Sequence, residues 1–190
     1  MRSGRPGEAQ ISQADEAGLV QSAKSGDAQA FGRLYDASVD RIYRYIFFRV
    51  TDADLAEDLT AAVFLKAWEG LARYRPDGPF LAWLYTIARN TVIDHYRTRR
   101  KSVSLDQAVI RQDPGFDDKV DLQDEVDTLK RSMLGLTDEQ REVLTLRFIA
   151  DMETAEIAER MKKSEGAIRA LQMRALQALA KVMNTERRET

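Results

Sequence analysis

A chain of 190 residues, 44% hydrophobic and 32% charged, is long enough for one ordinary domain or two small ones and has a normal soluble composition. It has no cysteine, which excludes disulfides, thiolate zinc sites and thiol redox sensing, and its one histidine, His95, leaves almost no material for a histidine metal centre or a catalytic triad. The net charge of -2 excludes nothing as a whole-chain number, so the useful question is where the charges lie. No apolar run approaches the ~18 residues of a membrane span, and the N-terminus lacks the apolar segment of a signal peptide. A cytoplasmic protein without membrane insertion is expected.

Four prolines, at 6, 76, 79 and 114, punctuate the chain sparsely, and no alternating strand pattern of useful length is present, so the expected fold class is all-α. Residues 1–14, rich in Gly, Ser, Gln and Arg, are expected to be disordered. From Asp27, a candidate N-cap, the apolar set Phe31, Leu34, Tyr35, Val39, Ile42, Ile46 and Val50 steps by three and four along one face of a long helix. A second helix begins at the "TDAD" cap near Thr51. It carries the row Leu55, Leu59, Val63, Ala67 and Leu71, and about 100° round from it Phe64 and Trp68. Apolar surface on more than one side fits either a central place in a bundle or a docking face.

The turn "RYRPDGP" at 73–79 launches "FLAWLYTIARNTVIDHYRTRRK" at 80–101, which combines four aromatics with five Arg or Lys in its last 13 positions. A helical wheel puts Phe80, Leu84, Ile87, Ala88 and Thr91 on a core face, with His95 at its edge. The opposite face takes Tyr85, Thr86, Arg89, Asn90, Ile93, Tyr96, Arg97 and Arg100, with Trp83 and Lys101 at its margin. Rings and cations on one exposed side suit a partner that is flat, apolar and negatively charged; a solvated face is the alternative.

Residues 102–127 hold eight carboxylates against Arg111 and Lys119 and mark a domain boundary. About 20 flexible residues reach roughly 65 Å when extended, so domains on either side can act at separated sites. Beyond the linker, Thr137 with Gln140 makes a capping-box pattern, followed by "TAEIAERM" (154–161), the connector Lys162 and Lys163, and a longer helix capped by Ser164. This is a helix-turn-helix pattern with polarised charge: seven acids and two bases in 137–159, two acids and eight bases in 160–188. On the second helix Ile168, Leu171, Ala175, Leu179 and Val182 form the inward row. Arg169, Ala170, Met173, Arg174, Gln177 and Lys181 face away, the chemistry of a major-groove reader, although a generic amphipathic helix also carries cations outside.

In order, "DAQAFGRLYDASVDRIYRYIFFRV", "DLAEDLTAAVFLKAWEGLARYRP", "GPFLAWLYTIARNTVIDHYRTRRK" and "LTDEQREVLTLRFIADMETAEIAERMKKSEGAIRALQMRALQAL" resemble bacterial RNA polymerase sigma factors of the extracytoplasmic-function (ECF) class, the two-domain branch of the sigma-70 family. The resemblance implies sigma region 2 at 15–101, an acidic linker at 102–129 and sigma region 4 at 130–185. It implies no enzyme and no cofactor, but a partner in core RNA polymerase (clamp helices and flap), promoter DNA as duplex and as melted strand, an anti-sigma factor, and a role in stress-responsive transcription initiation. By position it places core-polymerase contacts on Leu55, Asp58, Leu59 and Phe64. It places -10 element contacts on Trp83, Tyr85, Arg89, Asn90, Tyr96, Arg97, Arg100 and Lys101, and -35 element contacts on Lys163, Ser164, Arg169, Ala170, Met173, Arg174 and Gln177. The sequence departs from the family where Ala61 and Ala62 replace a common Gln-Glu pair, and where "RAL" stands in place of "RSR". A stand-alone helix-turn-helix regulator would explain 137–188 but gives no role to the helix at 55–71. Metal catalysis would have to rest on Asp52, Asp54, Glu57 and Asp58, of which Asp52 and Asp54 are more simply helix N-terminal acids.

Overall fold

The computed structural model describes residues 12–75, 78–103, 129 and 131–189, with the side chains of residues 13, 99–103, 182 and 184–189 outside the description. Among the described residues there is no strand. Five helices come first: α1 (Gln13–Lys24), α2 (Ala28–Asp36), α3 (Val39–Val50), α4 (Ala53–Gly70), a 3-10 turn (Leu71–Arg73) and α5 (Phe80–Val103). A second group follows: α6 (Asp138–Leu144), one π-helical turn (Thr145–Ile149), α7 (Thr154–Met161) and α8 (Glu165–Glu189). The acidic linker falls almost wholly outside the described residues.

Local chemistry sets the boundaries. Asp27 accepts from the Gln29 and Ala30 amides to start α2, and Asp52 accepts from the Leu55 amide to start α4. The single helix expected from Phe31 to Val50 is two. The Ser38 amide turns back to the Tyr35 carbonyl at 2.9 Å, and Ser38, buried, takes φ -123, which redirects the chain while the apolar row stays in phase. Residues 1–11 lie outside the described residues, but Ser12 caps a helix that starts at Gln13, inside the stretch expected to be disordered.

That first helix has a job that no local pattern announces. Pro79 precedes α5 and offers no capping side chain, and the Phe80 amide instead donates to the Glu16 carboxylate at 2.9 Å, 64 residues away in sequence. Lys24 donates to the Tyr74 carbonyl at 3.0 Å, tying the other end of α1 to the turn before α5. Beneath these, Val20, Leu34, Ile42, Ile46, Val63, Ala67, Leu84, Ala88 and Val92 form the core of the first unit. α5 packs on both α4 and α3, and Lys66 on α4 donates to the buried Thr91 hydroxyl at 3.1 Å.

In the second unit both halves of the Thr137–Gln140 capping box form. Lys162 takes the left-handed conformation (φ 54), which lets the Lys163 amide reach the Ala158 carbonyl at 2.9 Å and closes the tight turn between α7 and α8. The Ser164 hydroxyl oxygen accepts from the Ala167 amide and caps α8. Ile157, Ile168 and Ala175 are fully buried, so α7 and α8 hold each other in the helix-turn-helix geometry.

Candidate nucleic-acid and polymerase interfaces

The outer face of α8 is built by subtraction. Ile168, Leu171 and Ala175 point into the second unit, and at helical spacing the residues between them must point out. Arg169, Ala170, Met173, Arg174 and Gln177 are all exposed, Met173 at 63%. Arg169 leans on Glu165 one turn back at 2.6 Å, an exposed pair that a stronger acceptor can replace. Lys163 is half-buried and pairs with Glu139 at 2.9 Å, while the Ser164 hydroxyl is committed to the helix cap. The -35 set expected from the sequence thus lies at the turn before α8 and on its N-terminal half, with six of its seven members exposed.

α5 behaves differently. Asn90 and Arg97 are exposed, and Trp83 and Tyr96 are half-buried. Trp83 stacks in an aromatic cluster, its ring 4.7 Å from Tyr74 and 5.5 Å from Phe80. The expectation fails at Tyr85, which is 1% exposed and meets Tyr45 edge to face at 5.3 Å. The wheel assumed one packed side; α5 has α4 on one flank and α3 on another, and Tyr85 is turned toward α3. The side chains of Arg100 and Lys101 lie outside the described residues.

Arg89 reaches across to the second unit and pairs with Glu142 on α6. Glu142 is 7% exposed and also lies 3.7 Å from Arg49, at the C-terminal end of α3. Arg49 in turn donates to the Asp138 carbonyl at 2.8 Å, and Arg141 donates to the Arg49 carbonyl at 2.9 Å. Arg141 also binds the Met133 and Leu136 carbonyls, and its burial pulls its guanidinium below the usual value. Farther along, Arg160 on α7 donates to the Thr86 hydroxyl at 2.7 Å and to the Ala82 carbonyl at 2.9 Å. Burial pushes the Tyr45 hydroxyl, beside this cluster, well above the ordinary tyrosine range; Arg49 pulls the other way and Glu142 adds to the rise.

On α4, two of the four residues expected to contact polymerase are packed inside the first unit. Leu59 (8% exposed) and Phe64 (4%) are core residues, Phe64 meeting Tyr35 at 4.6 Å, because α2 and α3 cover that side of the helix. Asp58 is exposed and Leu55 half-buried. The apolar groups that α4 does present are Leu65, 59% exposed, and Trp68, 38%. The second unit presents Phe148, 63% exposed, and Leu176, 44%, which border an apolar hollow of about 190 Å³ lined also by Phe48, Met133, Leu144 and Leu179. His95 is half-buried with its Nε2 lacking a hydrogen-bond partner among the described residues, and no group of His, Asp and Glu there could hold a metal ion.

The family model described as "Sigma-70 region 2" matches residues 34–102, and that described as "Sigma-70, region 4" matches 133–181. The chain belongs to the sigma-70 family. Among curated relatives, the chain is 40% identical over 182 residues to the ECF RNA polymerase sigma factor BldN of Streptomyces coelicolor, covering 90% of this chain and 66% of that protein. It is 32% identical over 164 residues to the RNA polymerase sigma factor YlaC of Bacillus subtilis, covering 82% of this chain and 93% of that one. These likenesses put it in the ECF class. The fold agrees with the sigma factor RpoE of Bartonella quintana, solved in complex with the anti-sigma factor NepR (TM-score 0.71, 22% identity, covering 83% of this chain and 98% of that one). It agrees also with CnrH, solved with the cytosolic domain of CnrY (TM-score 0.65, 26% identity, covering 90% and 98%).

The first unit of this sigma factor is therefore region 2 and the second region 4. The stand-alone regulator is set aside, because region 2 has no place in it. Its relatives are not enzymes, and no described helix is long and apolar enough to cross a membrane.

Proposed function

We propose that this sigma factor binds core RNA polymerase and directs it to promoters, reading the -35 element with α8 and opening and reading the -10 element with α5. The observation that carries the reading is the outer face of α8: five side chains able to meet base edges or thymine methyls, exposed together on the second helix of a helix-turn-helix, above a fully buried Ile168 and Ala175. On region 2, Trp83 braced by Tyr74, with Tyr96, Asn90 and Arg97, supplies the ring planes and cations that a melted strand needs. Polymerase docking is assigned to the open side of α4, through Leu55, Asp58, Leu65 and Trp68, for the clamp helices. The exposed apolar side chains of region 4, Phe148 and Leu176, are assigned to the flap. An anti-sigma factor, as in the complexes of its structural relatives, and a cytoplasmic location complete the proposal. The domain limits follow the same reading, with region 2 from 15 to 101, the linker from 102 to 129 and region 4 from 130 to 185.

Mapping of transcription starts with core polymerase on genomic fragments, with and without the chain, tests this directly. The chain should produce new discrete starts. Trp83→Ala or Tyr96→Ala should impair promoter opening, seen by permanganate reactivity, more than duplex binding; loss of duplex binding alone would remove the assignment of α5.

A further inference from the structure

α1 precedes the stretch matched by the region 2 model, which starts at residue 34, and holds none of the residues assigned to promoter or polymerase. Its long-range hydrogen bonds nevertheless converge on the residues around Trp83. Glu16 accepts from the Phe80 amide at 2.9 Å, and Lys24 donates to the Tyr74 carbonyl at 3.0 Å. Tyr74 and Phe80 are both buried, their rings pack on Trp83, and they meet each other edge to face at 5.8 Å. Trp83 also lies against the end of α4, where a Cβ on Gly70 would stand 3.5 Å from its ring. The Tyr74 hydroxyl donates to the Gly78 carbonyl at 2.8 Å and closes the turn that leads into α5. Glu16 and Lys24 stand about 12 Å apart along α1, and between them Val20 and Ala23 are buried in the core. α1 is therefore a strut anchored on the core, with one polar hold on each end of the aromatic cluster.

We propose that α1 is a positioning element for strand reading, with Glu16 and Lys24 setting, through Phe80 and Tyr74, the plane that Trp83 offers to an unstacked promoter base. A stacked base gains most from a ring whose plane is fixed before the base arrives, because ordering the ring on binding offsets part of the contact. Glu16 and Lys24 act through the cluster and not on the strand. Each holds one end of the connection from α4 to α5, so losing either bond frees Tyr74 or Phe80 to shift and Trp83 to tilt with it. The inference rests on the assignment of α5 made above.

The chain has two tryptophans, so Trp68→Phe leaves Trp83 as the one fluorescent indole and makes the full chain its own reporter. In that background Glu16→Ala and Lys24→Met should lower the fluorescence anisotropy of Trp83 and raise its quenching by acrylamide. With Trp68 retained and core polymerase added, the same two substitutions should cut permanganate reactivity several-fold at a promoter found by start mapping, with duplex occupancy unchanged. Glu16→Gln keeps an acceptor and Lys24→Arg a donor, and both should restore the two readouts. Ile42→Val, a core change on α3 that takes part in neither bond, shows what lost stability does alone, and opening should survive it. Circular dichroism checks folding; should Glu16→Ala unfold the first unit, Lys24→Met decides with the same readouts. Trp83 fluorescence unchanged in the α1 variants, or opening lost equally in Ile42→Val, would overturn the positioning role. Trp83→Ala is run alongside. Loss of opening there, with none in the α1 variants, would overturn this inference and leave the assignment of α5 standing; normal opening there would overturn that assignment and the role of α1 in reading with it.

Discussion

α5 and α8 are both long helices with rings or sulfur, cations and an apolar row, yet the structure treats them in opposite ways. α8 packs through one side on α6 and α7, and its outward face is open. α5 packs through two sides on α4 and α3, and part of the remainder meets region 4, which leaves Asn90 and Arg97 open, Arg89 paired and Tyr85 buried. A one-sided helix can be read from its own wheel; a helix flanked twice cannot, because the number of its neighbours is a property of the bundle.

The contrast can be broken most forcefully in the core. Phe80→Ala, at 1% exposure under Tyr74 and Trp83, should cost about 3–5 kcal/mol in urea unfolding and disorder the start of α5, whereas Met173→Ala on α8 should change stability by less than about 0.5 kcal/mol. Equal costs would mean that α8 is not free. Next in size, Arg169→Ala or Arg174→Ala should lose about 1–3 kcal/mol in binding to a -35 duplex, measured by anisotropy, with folding unchanged. Glu16→Ala should cost about 0.5–2 kcal/mol by stripping the cap from α5, and a melting temperature equal to that of the parent would show that Glu16 is dispensable.

The smallest effect concerns Tyr45, fully buried with its hydroxyl unpaired among the described residues. Its folded state holds the proton more tightly than the unfolded chain, so its contribution is complete below the ordinary tyrosine value near 10 and declines as pH rises beyond it. Tyr45→Phe should be almost neutral at pH 7 and should soften the loss of stability between about pH 10 and 11.5. An unaltered alkaline limb in chemical denaturation would contradict the burial-driven shift.

Whatever depends on near neighbours can be read from the chain alone. Helical class follows from periodicity, the capping box from Thr137 and Gln140, the turn at Lys162 and Lys163 from charge and spacing, and the outward set on α8 from the apolar row beneath it. The family was equally legible, in four motifs in one order. The rest is set by residues far apart in the chain. The break at Ser38 lets α3 turn against α5, α2 and α3 bury Leu59 and Phe64, Glu16 caps a helix 64 residues away, and Glu142 finds Arg49 and Arg89. Exposure and ion pairing are shared between elements, so no single helix carries the information that assigns them.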